Sequence, residues 1–271
     1  MLTPPYSEDE VVVLAASLAL SVATWIHWYL QLRVGPRLRR ERAPSRALAI
    51  MPLVALGVLW LILKRWSSFD VRDSAAYLFQ YMALGAAWLG FALLFLPRFG
   101  ISARDDAAER GNPAAAVALS GALLGLCLCY AGGNVGDGPG WWVVVFSSGL
   151  STLCLFASWA VLEWAAHPSD AITIDRDVAA GTRHAAFSIA QGLVLARGVA
   201  GDWESAPATL RDLASNGWPA LVLLAVAILF ERALSPTGDA PRRSLVACGL
   251  LPGAVLLAAA STWVVAFGVG A

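Results

Sequence analysis

The densest group of polar side chains within an apolar stretch of this sequence lies between residues 183 and 197. It comprises Arg183, His184, Ser188, Gln191 and Arg197. In a helix, the spacing of His184, Ser188 and Gln191 places all three on one face. Because an ionisable side chain that faces lipid costs several kcal/mol, such a face must point toward water or toward other helices. The pattern predicts a polar pathway for a solute, an ion or protons; the alternative is a packed helix whose polar groups bond to neighbouring helices.

Arg197 is the charge that lies deepest in this stretch, and an unpaired charge there would be costly. The nearest acidic residues in the sequence are Asp202, Glu204 and Asp212. We therefore expect Arg197 either to pair with an acidic residue, Asp202 and Asp212 being the main candidates, or to face an aqueous cavity that opens outward.

The remaining chemistry-bearing residues form no recognisable enzyme pattern. The three histidines His27, His167 and His184 are scattered, and their spacing predicts no metal site. Glu163 lies at a predicted helix end, where we interpret it as an interfacial charge; the alternative is a pair with Arg183 or His184. The four cysteines fall inside apolar runs, as small buried side chains do. We predict no enzymatic activity, no cofactor and no metal.

Two glycine patterns have structural interpretations. Residues 132–142 are rich in glycine, but neither a preceding strand nor a following Gly-Lys-Ser/Thr suggests a phosphate-binding loop. We interpret them as a tight turn between antiparallel helices, anchored by the Trp141-Trp142 pair. Gly121 and Gly125 form a GxxxG pattern, which permits close packing of helices in a membrane. Packing within the chain is the interpretation we prefer to dimerisation.

The elements that position these residues follow from composition. Hydrophobic residues make up 58% of the 271 residues and charged residues only 14%, against about a quarter charged in soluble domains. The charges cluster between long apolar runs, which is typical of an integral membrane protein. The sequence shows no basic patch with interleaved aromatic residues, so we predict the lipid bilayer, and not nucleic acid, as the surrounding partner.

The apolar runs predict an all-α membrane protein with about eight transmembrane helices, since about 20 helical residues cross the hydrocarbon core. The predicted spans are 10–31, 48–66, 75–96, 113–132, 140–163, 182–200, 213–233 and 244–268.

The distribution of arginine predicts the orientation. Fourteen of the 19 basic residues lie in the first, third, fifth and seventh loops, and four lie in the loops of the other side. By the positive-inside rule, the arginine-rich loops are cytoplasmic and both termini lie outside the cytoplasm. The N-terminal flank is acidic, at Glu8, Asp9 and Glu10, which contradicts a signal peptide.

A self-comparison indicates an internal repeat at an offset of 70 residues. The segment 105–116 aligns with 175–186 through a leading Asp, a Gly and two Ala. In both copies an acidic lead-in precedes a helix rich in small residues, and an apolar helix follows. Helices four and five would therefore form one hairpin, and helices six and seven a second hairpin parallel to it.

These residues resemble a bacterial inner-membrane family known as domain of unknown function 350. The resemblance rests on residues 109–116, with Gly111-Asn112 at their centre, and on the small-residue stretch 120–125. The second copy has Gly181-Thr182 in place of Gly-Asn. The resemblance covers about residues 100–233, and it implies tandem parallel hairpins in a bacterial inner membrane. It implies no activity.

The chain thus divides into three predicted regions: an N-terminal three-helix region (1–99), the tandem-hairpin region (100–233) and a C-terminal transmembrane helix (234–271). Two hypotheses on function remain open. The first is a structural or scaffold subunit that acts through protein partners at its cytoplasmic loops, as a homo-oligomer or with other proteins. The second is a small-solute or ion permease with its path beside helix six.

Overall fold

The computed structural model describes residues 6–33, 43–236 and 244–268, and within these ranges the regular structure is helical. Short turns of 3-10 or π geometry occur at Leu96–Phe99, Ala103–Glu109 and Val246–Leu250. The α-helices are α1 (Glu8–Gln31), α2 (Ala43–Trp66), α3 (Phe69–Asp73), α4 (Ala75–Leu93), α5 (Pro113–Gly132), α6 (Trp141–Ala166), α7 (Pro168–Thr173), α8 (Val178–Val199), α9 (Ala206–Gly217), α10 (Pro219–Leu234) and α11 (Leu251–Phe267).

Six helical segments among the described residues are long and apolar enough to cross a membrane: α1, α2, α4, α5, α6 and Val246–Phe267. The pair α9 and α10 qualifies as a seventh only if its two helices, bent by 44°, form one span. The chain is therefore a multi-pass helical membrane protein. Helix α8, which corresponds to the predicted sixth span, is long enough but is not among these six.

The predicted seventh span, 213–233, is not one continuous helix in the structure. The structure has α9 before it and a bend at Trp218, between Gly217 and Pro219. Proline has no N–H to continue the hydrogen bonding of a helix, so a new helix begins readily at Pro219. Helix α9 is polar over much of its length, which is why an apolar pattern did not reveal it.

Four helices, α2, α5, α8 and α11, lie side by side and run in the same direction. The start of α5 at Ala114 lies against Gly181 of α8, and its end at Gly132 lies against Ala196. The Sγ of Cys127 in α5 donates to the carbonyl of Ala55 in α2, at 3.2 Å. We call these four helices the central row.

A second row, α1, α4, α6 and α10, packs against the central row and runs in the opposite direction. Helices α1 and α4 are mutually parallel: the Tyr6 hydroxyl, just before α1, donates to the carbonyl of Ala76, and Trp25 Nε1 donates to that of Ala86. Trp88 of α4 reaches α6, where its Nε1 donates to the hydroxyl of Thr152 at 3.1 Å.

Equivalent backbone features recur along the central row. Asn112 caps α5 by accepting from the N–H groups of Ala114 and Ala115, and Asp177 caps α8 in the same way. The residue before each cap has a positive φ, 59° at Gly111 and 56° at Arg176. Arg176 is 65 residues from Gly111, whose carbonyl accepts a hydrogen bond from the Arg176 guanidinium. These matched caps are 65 residues apart, whereas the sequence alignment has an offset of 70.

Candidate functional site

Helix α8 is the most polar helix of the central row and one of the most buried. Asp177 fixes its first turn, and α5, α6, α10 and α11 surround it. Its polar side chains leave it in two directions. His184, Ser188 and Gln191 face α6 and the start of α10. Arg183 contacts α10 and the segment before α11, and Arg197 contacts α11. His184, Ser188 and Gln191 therefore share a face, and Arg197 lies apart from these three.

At the start of α8, Arg183 forms a buried ion pair with Glu231 of α10. Its Nε and Nη2 approach the two carboxylate oxygens at 3.0 and 2.6 Å, and the two residues are 1% and 2% exposed. A third donor, Nη1, binds the carbonyl of Cys248 before α11. The arginine thus links α8 to α10 and to the segment before α11. Its contact with Glu231 is bidentate, which suits the planar guanidinium group.

Glu231 is the site residue that sequence reasoning missed, and its signal was an acidic residue inside the apolar end of the predicted seventh span. A pair of Glu163 with Arg183 or His184 was the alternative to an interfacial charge, and the structure shows no such pair in the described ranges. The carboxylate of Glu163 instead accepts from Ser169 and lies 3.9 Å from the ring of His167. Glu163 and His167 are four residues apart at the end of α6, where this local contact needs no long-range approach.

One turn further along α8, Ser188 lies in a hydrogen-bonded relay. Its hydroxyl accepts from Trp159 Nε1 of α6 at 3.0 Å and donates to the carbonyl of His184 at 2.9 Å. The indole and imidazole rings lie 6.4 Å apart. The imidazole Nδ1 of His184 is buried without a hydrogen-bond partner within the described part of the chain. The hydroxyl of Ser188 thus both accepts and donates a hydrogen bond, whereas the imidazole Nδ1 of His184 does neither among the described residues.

In the middle of α8, Gln191 faces the bend between α9 and α10. Its amide nitrogen donates to the carbonyl of Ala220 at 2.8 Å. Its Oε1 is buried, and no donor for it occurs among the residues that the structure describes. An apolar cavity of about 410 Å³ lies beside this contact, between α6, the end of α8 and the bend.

Near the end of α8, Arg197 lies beneath a polar cavity. Its Nη2 donates to the carbonyl of Phe267 at 3.1 Å, while its buried Nε has no partner in the described ranges. No carboxylate of those ranges comes within 4.0 Å of the guanidinium. Asp202, Glu204 and Asp212 line the same cavity. Of the two expectations for Arg197, the geometry is that of a residue facing a cavity.

Gly121 and Gly125 of α5 lie directly against the backbone of α8. A Cβ at Gly121 would overlap Ala185, and one at Gly125 would overlap the carbonyl of Ser188. On the other side of the same contact, Gly192 packs on Gly125. These glycines allow two membrane helices to approach at backbone distance, which is the function of small residues in such interfaces.

The glycine-rich residues 132–142 form the turn between α5 and α6, and Gly136 has a φ of 101° there. This turn meets the segment after α8: the N–H of Gly201 donates to Val135, and the N–H of Asp137 donates to the carboxylate of Asp202. Trp142 stacks edge-on against Trp203, with ring centroids 5.1 Å apart. The turn thus joins the α5–α6 connection to the segment after α8, at the end of the bundle where Arg197 lies.

Residues 72–199 match the family described as Domain of Unknown Function (DUF350). No curated protein and no solved structure matches the chain. The matched range runs from α3 to the end of α8, so it includes α4, which the sequence analysis placed among the additional helices, and excludes α9 and α10. It contains both cap motifs and all of α8, and this part of the chain therefore belongs to the DUF350 family, as the resemblance at Gly111-Asn112 predicted.

Proposed function

We propose that the chain crosses a bacterial inner membrane eight times, with both termini outside the cytoplasm. Six spans come from the long apolar helices, α9 and α10 supply a broken seventh, and α8 supplies the eighth. Helix α8 needs no apolar surface of its own, because the surrounding helices shield it from lipid. The arginine-rich loops support the orientation, although most of the first and seventh loops lies outside the described residues.

We also propose that the bundle consists of tandem helix pairs, α5 with α6 and α8 with α10. The matched caps, the matched positive φ values and the contacts between residues 65 positions apart support this arrangement. Helices α2 and α4 occupy the same relative places one step earlier, which extends the series to a third pair. Parallel repeats related by an axis along the membrane normal are a known architecture for membrane proteins.

For function, the structure favours a structural or scaffold subunit that acts through partners, without catalytic activity. The observation that carries this proposal is the ion pair of Arg183 with Glu231, which fixes α8 to α10 and, through Cys248, to α11. Beside it, Gly121 and Gly125 fix α8 to α5. A bundle held this closely presents a rigid surface, and close packing opposes the rearrangements that transport requires.

The proposed docking surface for partners, whether other proteins or copies of this chain, is the cytoplasmic end of the tandem pairs. Arg104 and Asp175 are exposed there, one before α5 and one before α8. Arg104 is engaged only with Glu109, at 3.0 Å, through a largely exposed contact that a partner can replace at little cost.

Photo-crosslinking in intact cells tests this proposal. A photoreactive amino acid at Arg104 or Asp175 is expected to yield a discrete protein adduct. The same amino acid at Trp164, which is 80% exposed near the same end of α6, serves as the control and is expected to meet lipid. Adducts at Trp164 alone, or at none of the three positions, would contradict docking at this end.

A permease is the second candidate, and one observation favours it. Gln191 and Arg197 each keep a buried polar atom without a partner in the described part of α8 and its neighbours, and Gln191 faces a broken span. Helices broken near the middle of the membrane form the substrate sites of many transporters.

Purified protein in liposomes should show no solute or ion flux if it is a scaffold. Flux that Gln191→Leu abolishes without lowering the unfolding midpoint would favour the permease.

A further inference from the structure

A polar cavity of about 450 Å³ lies at the end of the bundle where α8 and α11 finish and α9 begins. Its size is within the range of small-molecule sites. The chemistry-bearing residues that line it are Arg197, Asp202, Glu204, Arg211, Asp212 and Asn216.

The base of this cavity is positively charged, and its rim carries three carboxylates against the single exposed guanidinium of Arg211. Arg197 at the base is 9% exposed, and no described carboxylate lies within 4.0 Å of its guanidinium. A buried guanidinium that lines a cavity without a carboxylate partner favours an anionic group, most of all a phosphate or carboxylate. The rim carboxylates of Asp202, Glu204 and Asp212 are on exposed residues, and no described cation lies within 4.0 Å of them.

A simple anion does not fit this distribution, because it would have to pass three carboxylates to reach Arg197. A simple cation would leave the charge of Arg197 without a counter-charge. A compact zwitterion satisfies both ends, with its anionic group on Arg197 and an ammonium group at the rim. A primary ammonium is the better complement, since its N–H groups donate to carboxylates and a quaternary ammonium has none.

The position of the cavity indicates the kind of anionic group. Trp263 lies between Trp218 and Phe267, with ring centroids 5.5 and 4.1 Å apart, next to the carbonyl that Arg197 binds. Clusters of aromatic rings at helix ends are typical of the membrane interface, which is also the depth of lipid phosphates.

We propose that this cavity binds a phosphate linked to a primary ammonium, as in the ethanolamine phosphate headgroup. Arg197 binds the phosphate, and Asp202, Glu204 and Asp212 bind the ammonium. Either the headgroup of phosphatidylethanolamine or free phosphoethanolamine carries this chemistry, and this binding activity goes beyond a scaffold role.

Native mass spectrometry and thermal unfolding of the detergent-purified protein test the proposal. Phosphatidylethanolamine is expected to bind at least tenfold more tightly than phosphatidylcholine, which differs in its quaternary ammonium. Arg197→Gln is expected to weaken binding at least tenfold, while Arg65→Gln, an exposed arginine at the same end of the bundle, leaves it unchanged. Equal binding of the two lipids, or binding that Arg197→Gln does not weaken, would overturn the proposal.

Two further measurements examine the rim carboxylates and distinguish a lipid headgroup from a soluble ligand. The double variant Glu204→Gln with Asp212→Asn changes only exposed side chains, so it should fold even if Arg197→Gln does not, and it should lose the preference for ethanolamine over choline. Free phosphoethanolamine that binds as tightly as the lipid identifies a soluble ligand, whereas binding of the lipid alone identifies a headgroup site. Binding of neither contradicts the assignment.

Discussion

At the scale of single residues, the most deeply buried ion pair in the described structure joins Arg183 of α8 to Glu231 of α10. Taking a guanidinium and a carboxylate out of water carries a desolvation cost of several kcal/mol each, which their mutual attraction offsets only with good geometry. Arg183 has that geometry, with two contacts to Glu231 and a third to Cys248. The pair therefore contributes less to net stability than the loss of one partner would suggest.

Removal of one partner of this pair is expected to be severe. Glu231→Leu leaves Arg183 charged and buried, which costs about 3–5 kcal/mol in the free energy of unfolding. The double variant Arg183→Met with Glu231→Leu replaces both charges by apolar groups and should recover most of that loss. Unfolding free energies in detergent micelles would show both effects. Arg104→Gln, which breaks the exposed pair with Glu109, is the control and should change little. A double variant as unstable as the single one would mean that the pair is not the source of the loss.

At the scale of elements, the contact between α5 and α8 depends on the absence of side chains. Membrane helices gain little from the hydrophobic effect against one another, so close van der Waals contact between backbones supplies much of their attraction. Gly121 and Gly125 provide this contact on α5, and Gly192 provides it on α8.

Gly125→Ala is expected to destabilise the protein by about 1–3 kcal/mol, because the added methyl overlaps the backbone of α8. The matched control is Gly57→Ala in α2, where a Cβ meets nothing within 4 Å. There the better helix propensity of alanine should raise stability by about 0.5–1 kcal/mol. Opposite signs for one substitution, measured as unfolding midpoints, would identify packing as the cause. Equal effects at the two positions would refute the close contact.

The sequence predicted those features of the elements that depend on local chemistry. The start of α5 follows from Asn112-Pro113, and the apolar length of α1, α2, α4 and α6 follows from counting residues. The partner of Arg183 could not be predicted, because any acidic residue near the same depth was a candidate until the helix order was known. The identity of the helices that cover each face of α8 was equally hidden, since helical spacing shows which residues share a face but not which helix covers it.

At the scale of the whole molecule, the two rows place the described connections at two opposite ends of the bundle. Asp105 and Asp170 are exposed at one end, and Pro139 and Glu204 at the other. These positions suit a labelling test better than Asp106, which is buried, or Gly136, where a side chain would overlap Gly201.

In a background without native cysteines, Cys substituted at Pro139 or Glu204 should react with an impermeant maleimide in intact cells. Cys at Asp105 or Asp170 should react only after the membrane is permeabilised, because the positive-inside rule places that end in the cytoplasm. The reverse labelling pattern would invert the proposed orientation. Arg40 and Asp239, which lie in the predicted first and seventh loops, are outside the described residues.

The shared direction of the central row has an electrostatic consequence. Each helix carries a partial positive charge of roughly half a unit at its N-terminus, and the N-termini of α2, α5, α8 and α11 all lie at the same end. The helices of the second row have their C-termini, which carry partial negative charge, at that end. The electric field there is therefore directed from the central row toward the second row. Acidic residues precede two of these positive N-termini: Asp105 and Asp106 come before α5, and Asp175 and Asp177 come before α8. The acidic residues before α5 and α8 therefore stabilise the positive ends of the helix dipoles. Neutralising these residues should reduce the stability of the first turns of both helices.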